Sequence, residues 1–135
     1  MTYTPAGPLS TSPKTIRVEG AAELRTTVPD SLALERTGIH LAGTSTITAV
    51  IRMFASASIA NEGQLELKDG AEFRLSGGSN AKLSNLATGR LELNGGTVLG
   101  EIIFDNQGEM IINGGTLDLD TFGGITQSGG SLDVK

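Results

Sequence analysis

The sequence predicts an all-β protein: a short β-solenoid (β-helix) of about four coils, with an irregular β region and an extended arm on its N-terminal side. Three observations predict it. Glycine supplies 19 of 135 residues, roughly twice its usual share. Gly-Gly pairs recur at Gly77-Gly78, Gly95-Gly96, Gly114-Gly115 and Gly129-Gly130, at spacings of 18, 19 and 15 residues. Between them run short segments such as Leu91-Glu-Leu and Leu117-Asp-Leu, which alternate as strands do, one side chain in and the next out.

Residues 1–14 hold three of the four prolines (Pro5, Pro8, Pro13) among Thr, Ser and Gly. Proline removes a backbone donor and biases its predecessor toward extended geometry, so this segment reads as an arm and not a helix. A polar arm of this length has little core of its own, and a partner surface or neighbouring subunit is expected to order it.

Residues 15–60 read as β structure of less regular spacing. Thr15-Ile-Arg-Val-Glu alternates apolar and charged residues, and Ala22-Glu-Leu-Arg-Thr-Thr-Val28 continues in the same manner. The segment from Pro29 to Gly38 has the start and stop residues of a single helical turn. Thr46 to Phe54 is β-branched and reads as the most apolar strand. Ala55-Ser-Ala-Ser-Ile-Ala60 is small enough for a crowded interior or a close subunit contact.

Residues 61–135 carry the repeat. Leu91-Glu-Leu-Asn-Gly-Gly-Thr-Val98 aligns with Ile111-Ile-Asn-Gly-Gly-Thr-Leu117, and Gln127-Ser-Gly-Gly-Ser-Leu-Asp-Val134 has the same form. Weaker copies lie upstream, at Gly63-Gln-Leu-Glu-Leu-Lys-Asp-Gly70 and Phe73-Arg-Leu-Ser-Gly-Gly78. A coil of about 18 residues accommodates three short strands joined by corners. Corners need backbone with φ > 0, which Gly adopts freely and Asn tolerates, so Asn94 and Asn113 ahead of their Gly pairs fit a corner. Four stacked coils would make a pillar roughly 19 Å tall, and only the stack buries a core.

The Leu-x-Leu-Asn-Gly-Gly-Thr-Val unit resembles the β-helical parts of phage tailspikes and capsid decoration proteins. It is similar also to the solenoid repeats of haemagglutinin-like adhesins and autotransporter passengers, and bactofilins share the plan of a short solenoid with floppy ends. Among these, the proline-rich arm and the N-terminus without a basic or apolar leader fit a virion protein best. The resemblance implies a capsid decoration (cement) protein that binds and stabilises a phage shell, made in the host cytoplasm and carried in the virion. The alternative it implies is a tailspike, fibre or adhesin-type module that recognises surface glycans.

Composition narrows the chemistry. The chain has no Cys, so disulfides and thiolate metal sites are excluded. A net charge of −5 argues against a nucleic-acid partner, and no apolar run is long enough to cross a bilayer as a helix. Neither a cofactor nor a metal is expected. The single histidine, His40, alternates with Ile39 and Leu41 and is expected to face solvent. Glu92, Glu109, Asp118 and Asp120 fall at outward positions of neighbouring coils. They could form a glycosidase pair, but read better as a solvated face that blunts edge pairing. Phe73, Phe104 and Phe122 are the aromatics that a sugar platform in this half could use. Asp105-Asn106 and Asp118-Leu-Asp120 are oxygen-rich, yet the Gly-Gly-x-Gly-x-Asp calcium repeat is not reproduced, because Thr97, Thr116 and Ser131 follow the Gly pairs.

No catalytic set is expected, and the protein reads as a non-enzyme. The final strand, from Ser131, has no capping element after it, which predicts a homo-oligomer, a trimer around a three-fold axis. The expected partner is the major capsid protein or another virion protein. The candidate gripping residues, chosen by their place in or beside the arm, are Tyr3, Pro5, Pro8, Lys14 and Arg17.

Overall fold

Segments of three to five alternating residues cannot bury a face alone, and here they do so by stacking. The computed structural model describes residues 14–25, 31–75, 80–99, 103–118 and 125–135. The first coil holds β1 (Lys14–Val18), β2 (Ala22–Leu24) and β3 (Leu32–Glu35). The second holds β4 (Thr37–Leu41), β5 (Thr44–Ile47) and β6 (Val50–Phe54), and the third β7 (Ser58–Asn61), β8 (Gln64–Lys68) and β9 (Glu72–Leu75). In the fourth and fifth, β10 (Lys82–Asn85) and β12 (Ile103–Asn106) are each followed by one long strand, β11 (Arg90–Leu99) and β13 (Glu109–Asp118). The strands β14 (Ile125–Gln127) and β15 (Ser131–Val134) add a last rung. Every pairing among the described residues is parallel, and the fold is a β-solenoid of about five turns.

Three faces result. The first is the sheet β1-β4-β7-β10-β12-β14. The second runs through β2, β5, β8 and the leading halves of β11 and β13 to β15, and the third through β3, β6, β9 and the trailing halves of β11 and β13. The two long strands turn the corner between these faces through their Gly-Gly pairs, where the pairing register slips.

The repeat is longer than the Gly-Gly spacing suggests. Ile16, Ile39, Ile59, Leu83, Phe104 and Ile125 stand in one column, separated by 23, 20, 24, 21 and 21 residues. Gly95 (φ 107°) and Gly115 (φ 100°) do occupy equivalent corners. The pair Gly129-Gly130 does not. The strand after it, β15, pairs with the leading half of β13, so Gly130 stacks on Gly108 at a different corner. The alignment of 127–134 with the Asn-Gly-Gly units is corrected accordingly. Gly77-Gly78 lies outside the described residues.

The column that sets the period is a row of glycines at the corner between the first and second faces: Gly43, Gly63, Gly89, Gly108 and Gly130, of which only the last belongs to a Gly-Gly pair. Successive coils approach here through bare backbone. A Cβ on Gly63 would sit 2.1 Å from the Gly43 carbonyl oxygen, so no side chain fits.

Residues 15–60, expected to be less regular, contribute strands to the same stack in their described part. The helical turn expected between Pro29 and Gly38 gives way to β3 in its described part, because Leu32 and Leu34 stack on Ile51 and Met53 of the next coil. Tertiary stacking overrides weak local start and stop signals. The apolar run from Thr46 to Phe54 divides at Thr48-Ala49 into the ends of β5 and β6. Corners in these coils use Arg36 (φ 47°) and Ala55 (φ 50°) in the left-handed region. Asn94 and Asn113, expected to adopt that region, leave it to the glycines and use their side chains instead.

Among the described residues the interior is aliphatic with two buried aromatics, Phe73 and Phe104, both fully enclosed. Ala57, in the small-residue stretch, is likewise buried. One column changes character partway down. It reads Val18, Leu41, Asn61, Asn85, Asn106, Gln127, aliphatic for two coils and amide thereafter. Asn61 Nδ2 donates to Asn85 Oδ1 (2.8 Å), Asn85 Nδ2 to Asn106 Oδ1 (2.8 Å), and Asn106 Nδ2 to Gln127 Oε1 (3.0 Å). The same Nδ2 groups reach the carbonyls of Arg90, Glu109 and Ser131 across the corner. At the top of this ladder Asn61 Oδ1 faces the leucine rung and is buried without a partner among the described residues, as is Ser45 Oγ. Such an oxygen costs about 1–3 kcal/mol.

Candidate functional site

The outer faces are organised by the same stacking that builds the core. On the first face, His40 lies in β4 between two buried neighbours, so its ring faces outward as its alternation predicts. It is not free in solvent. Arg17 stacks directly before it from β1, with Nη1 3.1 Å from His40 Nδ1, and His40 Nε2 lies 2.7 Å from Glu62 Oε2. An imidazole that donates from Nε2 to Glu62 and accepts at Nδ1 from Arg17 satisfies both contacts. Arg17 also donates from Nε to Glu19 at 2.8 Å, and this bond, aided by the charge of Glu62, raises its already high pKa.

Lower on this face Asp105 accepts from Gln107 Nε2 and Ser128 Oγ, both at 2.9 Å, with Lys82 Nζ 3.5 Å away. These bonds, Gln107 first, hold its carboxyl below the usual carboxylate value. The neighbouring Asn106 points inward into the amide ladder. The oxygen-rich pair Asp105-Asn106 is thus split between two sides of one strand.

The second face carries Glu66, Glu92 and Glu109. Arg90 donates to Glu92 (Nε–Oε1 2.6 Å) and, through Nη1, to Glu109 on the next coil. The hydrogen bond to Glu92 and then that to Glu109 raise its pKa. Glu66 accepts from Asn94 Nδ2 at 2.8 Å and pairs with Lys68 at 3.4 Å, while Asn113 Nδ2 donates to Asn94 Oδ1 at 2.8 Å. The Arg90–Glu92 and Glu66–Lys68 pairs each lie within one strand, and the other links cross from one coil to the next. Among the described residues no three His, Cys, Asp or Glu side chains gather as a metal site.

A shallow trough of about 160 Å³ opens on this face. It is lined by the short side chains of Thr44 and Thr46 and the longer ones of Gln64, Glu66, Arg90 and Glu92.

The sequence candidates are placed as follows. Glu92 and Glu109 do approach one another, joined by Arg90, an arrangement that ties coils together. Asp118 closes β13, and Asp120 lies outside the described residues. Phe73 and Phe104 are interior and present no platform, and Phe122 lies outside the described residues. Phe54, which the sequence reading passed over, is half-buried on an outer face, stacked beside Glu35. Of the gripping residues, Arg17 stands outward on the first coil, Lys14 opens β1, and Tyr3, Pro5 and Pro8 lie outside the described residues. Sequence reasoning missed the amide ladder and the Arg17–His40–Glu62 cluster. Asn-x-Gly at Asn61-Glu-Gly63 and Asn106-Gln-Gly108 was the signal that could have aligned them.

Compared with known proteins, the chain matches no family model, no curated sequence and no solved structure.

Proposed function

We propose that this chain is a structural module of a phage virion, a decoration or cement protein that stabilises a shell as a homotrimer and performs no catalysis. The observation that carries the reading is the bonding of outer-face charges from coil to coil, which makes a stiff pillar. The binding partner is the major capsid protein or a neighbouring virion protein, gripped from the N-terminal side by Tyr3, Pro5, Pro8, Lys14 and Arg17. Binding comes from many modest contacts multiplied by valency. Light scattering of the full chain should give three times 13.9 kDa, and a monomer at micromolar concentration refutes the trimer. Deleting residues 1–14 should abolish co-sedimentation with shells while leaving the trimer intact. Undiminished binding refutes the grip.

The trough over Thr44 and Thr46 favours one second reading, a module that recognises surface glycans through hydroxyl-bonding side chains. A glycan array with the full chain and with Arg90→Ala distinguishes the two, since only this reading predicts binding that the substitution removes.

A further inference from the structure

Two Asn-Gly dipeptides, Asn94-Gly95 and Asn113-Gly114, sit one coil apart at the bulged corner of β11 and β13. Asn-Gly is the dipeptide most prone to imide formation, because glycine puts no side chain in the way of the attacking amide nitrogen. The two copies share sequence but not surroundings. Asn94 is half-buried and held on both ends of its amide: Nδ2 donates to the Glu66 carboxylate at 2.8 Å and Oδ1 accepts from Asn113 at 2.8 Å. Gly95 is boxed as well. Its missing Cβ would lie 1.9 Å from Asp69 Oδ1, so an anionic oxygen crowds this backbone and opposes loss of a proton from its amide. Asn113 is exposed and, among the described residues, is held by a single side-chain bond, to Asn94. Around Gly114 the nearest atom to a Cβ position is Gly95 N at 3.8 Å, which leaves room for the backbone to swing into a ring.

We propose that Asn113-Gly114 is a site of spontaneous deamidation and isoaspartate formation, and that Asn94-Gly95 is protected by its neighbours. The Gly114 amide nitrogen, after giving its proton to solvent base, attacks Asn113 Cγ. The N–Cγ bond forms as the Cγ–Nδ2 bond breaks, and ammonia leaves with a proton from water. Water then opens one of the two imide C–N bonds, which yields aspartate or isoaspartate at 113. Either product lacks the donor to Asn94 and adds a negative charge to the side of the stack that already carries Glu66 and Glu92.

The test is incubation of the full chain at mildly alkaline pH, followed by cleavage after glutamate, which separates Asn94 (after Glu92) from Asn113 (after Glu109) into different peptides. Asn113 should gain about one mass unit, the exchange of NH₂ for OH. It should do so at least about tenfold faster than Asn94, the factor set by the charge-assisted bonding to Glu66 and Glu92 that Asn94 alone must break. In urea the two rates should converge. Gly114→Ala, whose Cβ meets nothing closer than 3.8 Å, should fold normally and suppress the change. Equal native rates, faster change at Asn94, no change at Asn113, or an unaltered rate in Gly114→Ala each overturn the proposal.

Discussion

Leucine at position 85 and leucine at position 61 are the same substitution in the same buried column, yet the amide ladder predicts unequal costs. Asn85→Leu removes three hydrogen bonds, from Asn61 Nδ2, to Asn106 Oδ1 and to the Glu109 carbonyl. It leaves Asn106 Oδ1 as a second buried oxygen without a donor, beside that of Asn61. The flat amide also threads between Gly89 and Gly108, whose Cβ positions lie 2.4 and 3.0 Å from its Oδ1 and Nδ2, so branched methyls crowd the backbone there. Counting one orphaned oxygen and the lost bonds against the gain from burying leucine, the net cost is about 3 kcal/mol. Asn61→Leu removes two bonds but also deletes the existing orphan. The unpaired oxygen moves to Asn85, its number is unchanged, and the new leucine packs against Leu41. That cost is about 1 kcal/mol. Urea unfolding followed by circular dichroism reads both. With a slope of about 2 kcal/mol/M, Asn85→Leu should lower the midpoint by roughly 1.5 M and Asn61→Leu by roughly 0.5 M. Equal midpoints for the two variants would refute the ladder as a chain with one open end.

Other outcomes follow from the same packing. Gly63→Ala should cost at least about 3 kcal/mol in the same assay, because its Cβ meets a backbone oxygen that cannot move aside without parting two coils. Phe104→Ala should lower stability by about 3–5 kcal/mol, whereas Ile103→Ser, on the outer side of the same strand and 38% exposed, should change it by less than about 0.5 kcal/mol. Asp105 has a lowered folded pKa, so its contribution is whole above the ordinary carboxylate value of 3.8 and is lost as pH falls through the folded value. Urea midpoints measured between about pH 5 and pH 2 should fall more for the wild-type chain than for Asp105→Asn.

The fold class was legible because glycine content and period-2 alternation are local properties that survive without knowing the register. The coil length was not. Gly95-Gly96 and Gly114-Gly115 mark one corner, while Gly129-Gly130 marks another, and spacing alone treats them as equivalent. The single glycines at 43, 63 and 108 carry the true repeat but look ordinary in isolation, since what makes them obligatory is a carbonyl on the preceding coil. Outer-face chemistry was hidden for the same reason. His40 meets Arg17 and Glu62 only when 23 and 22 residues of chain are folded back into register. Alternation told which way His40 points, and could not tell what stands beside it.

The corner between the first and second faces has a practical consequence. One residue separates the column position from its glycine at Leu41-Ala-Gly43, Asn61-Glu-Gly63 and Asn106-Gln-Gly108, but three do at Asn85-Leu-Ala-Thr-Gly89. Asn85 and Gly89 nevertheless keep their places, because the longer corner closes on itself through Gly89 N to the Leu86 carbonyl at 2.8 Å. The stack therefore counts rungs and is indifferent to how much chain is looped out between them. A foreign peptide grafted between Ala87 and Thr88, both exposed, would be displayed sideways from the pillar at a fixed height. Grafts of different length at that point should leave the scaffold's register untouched.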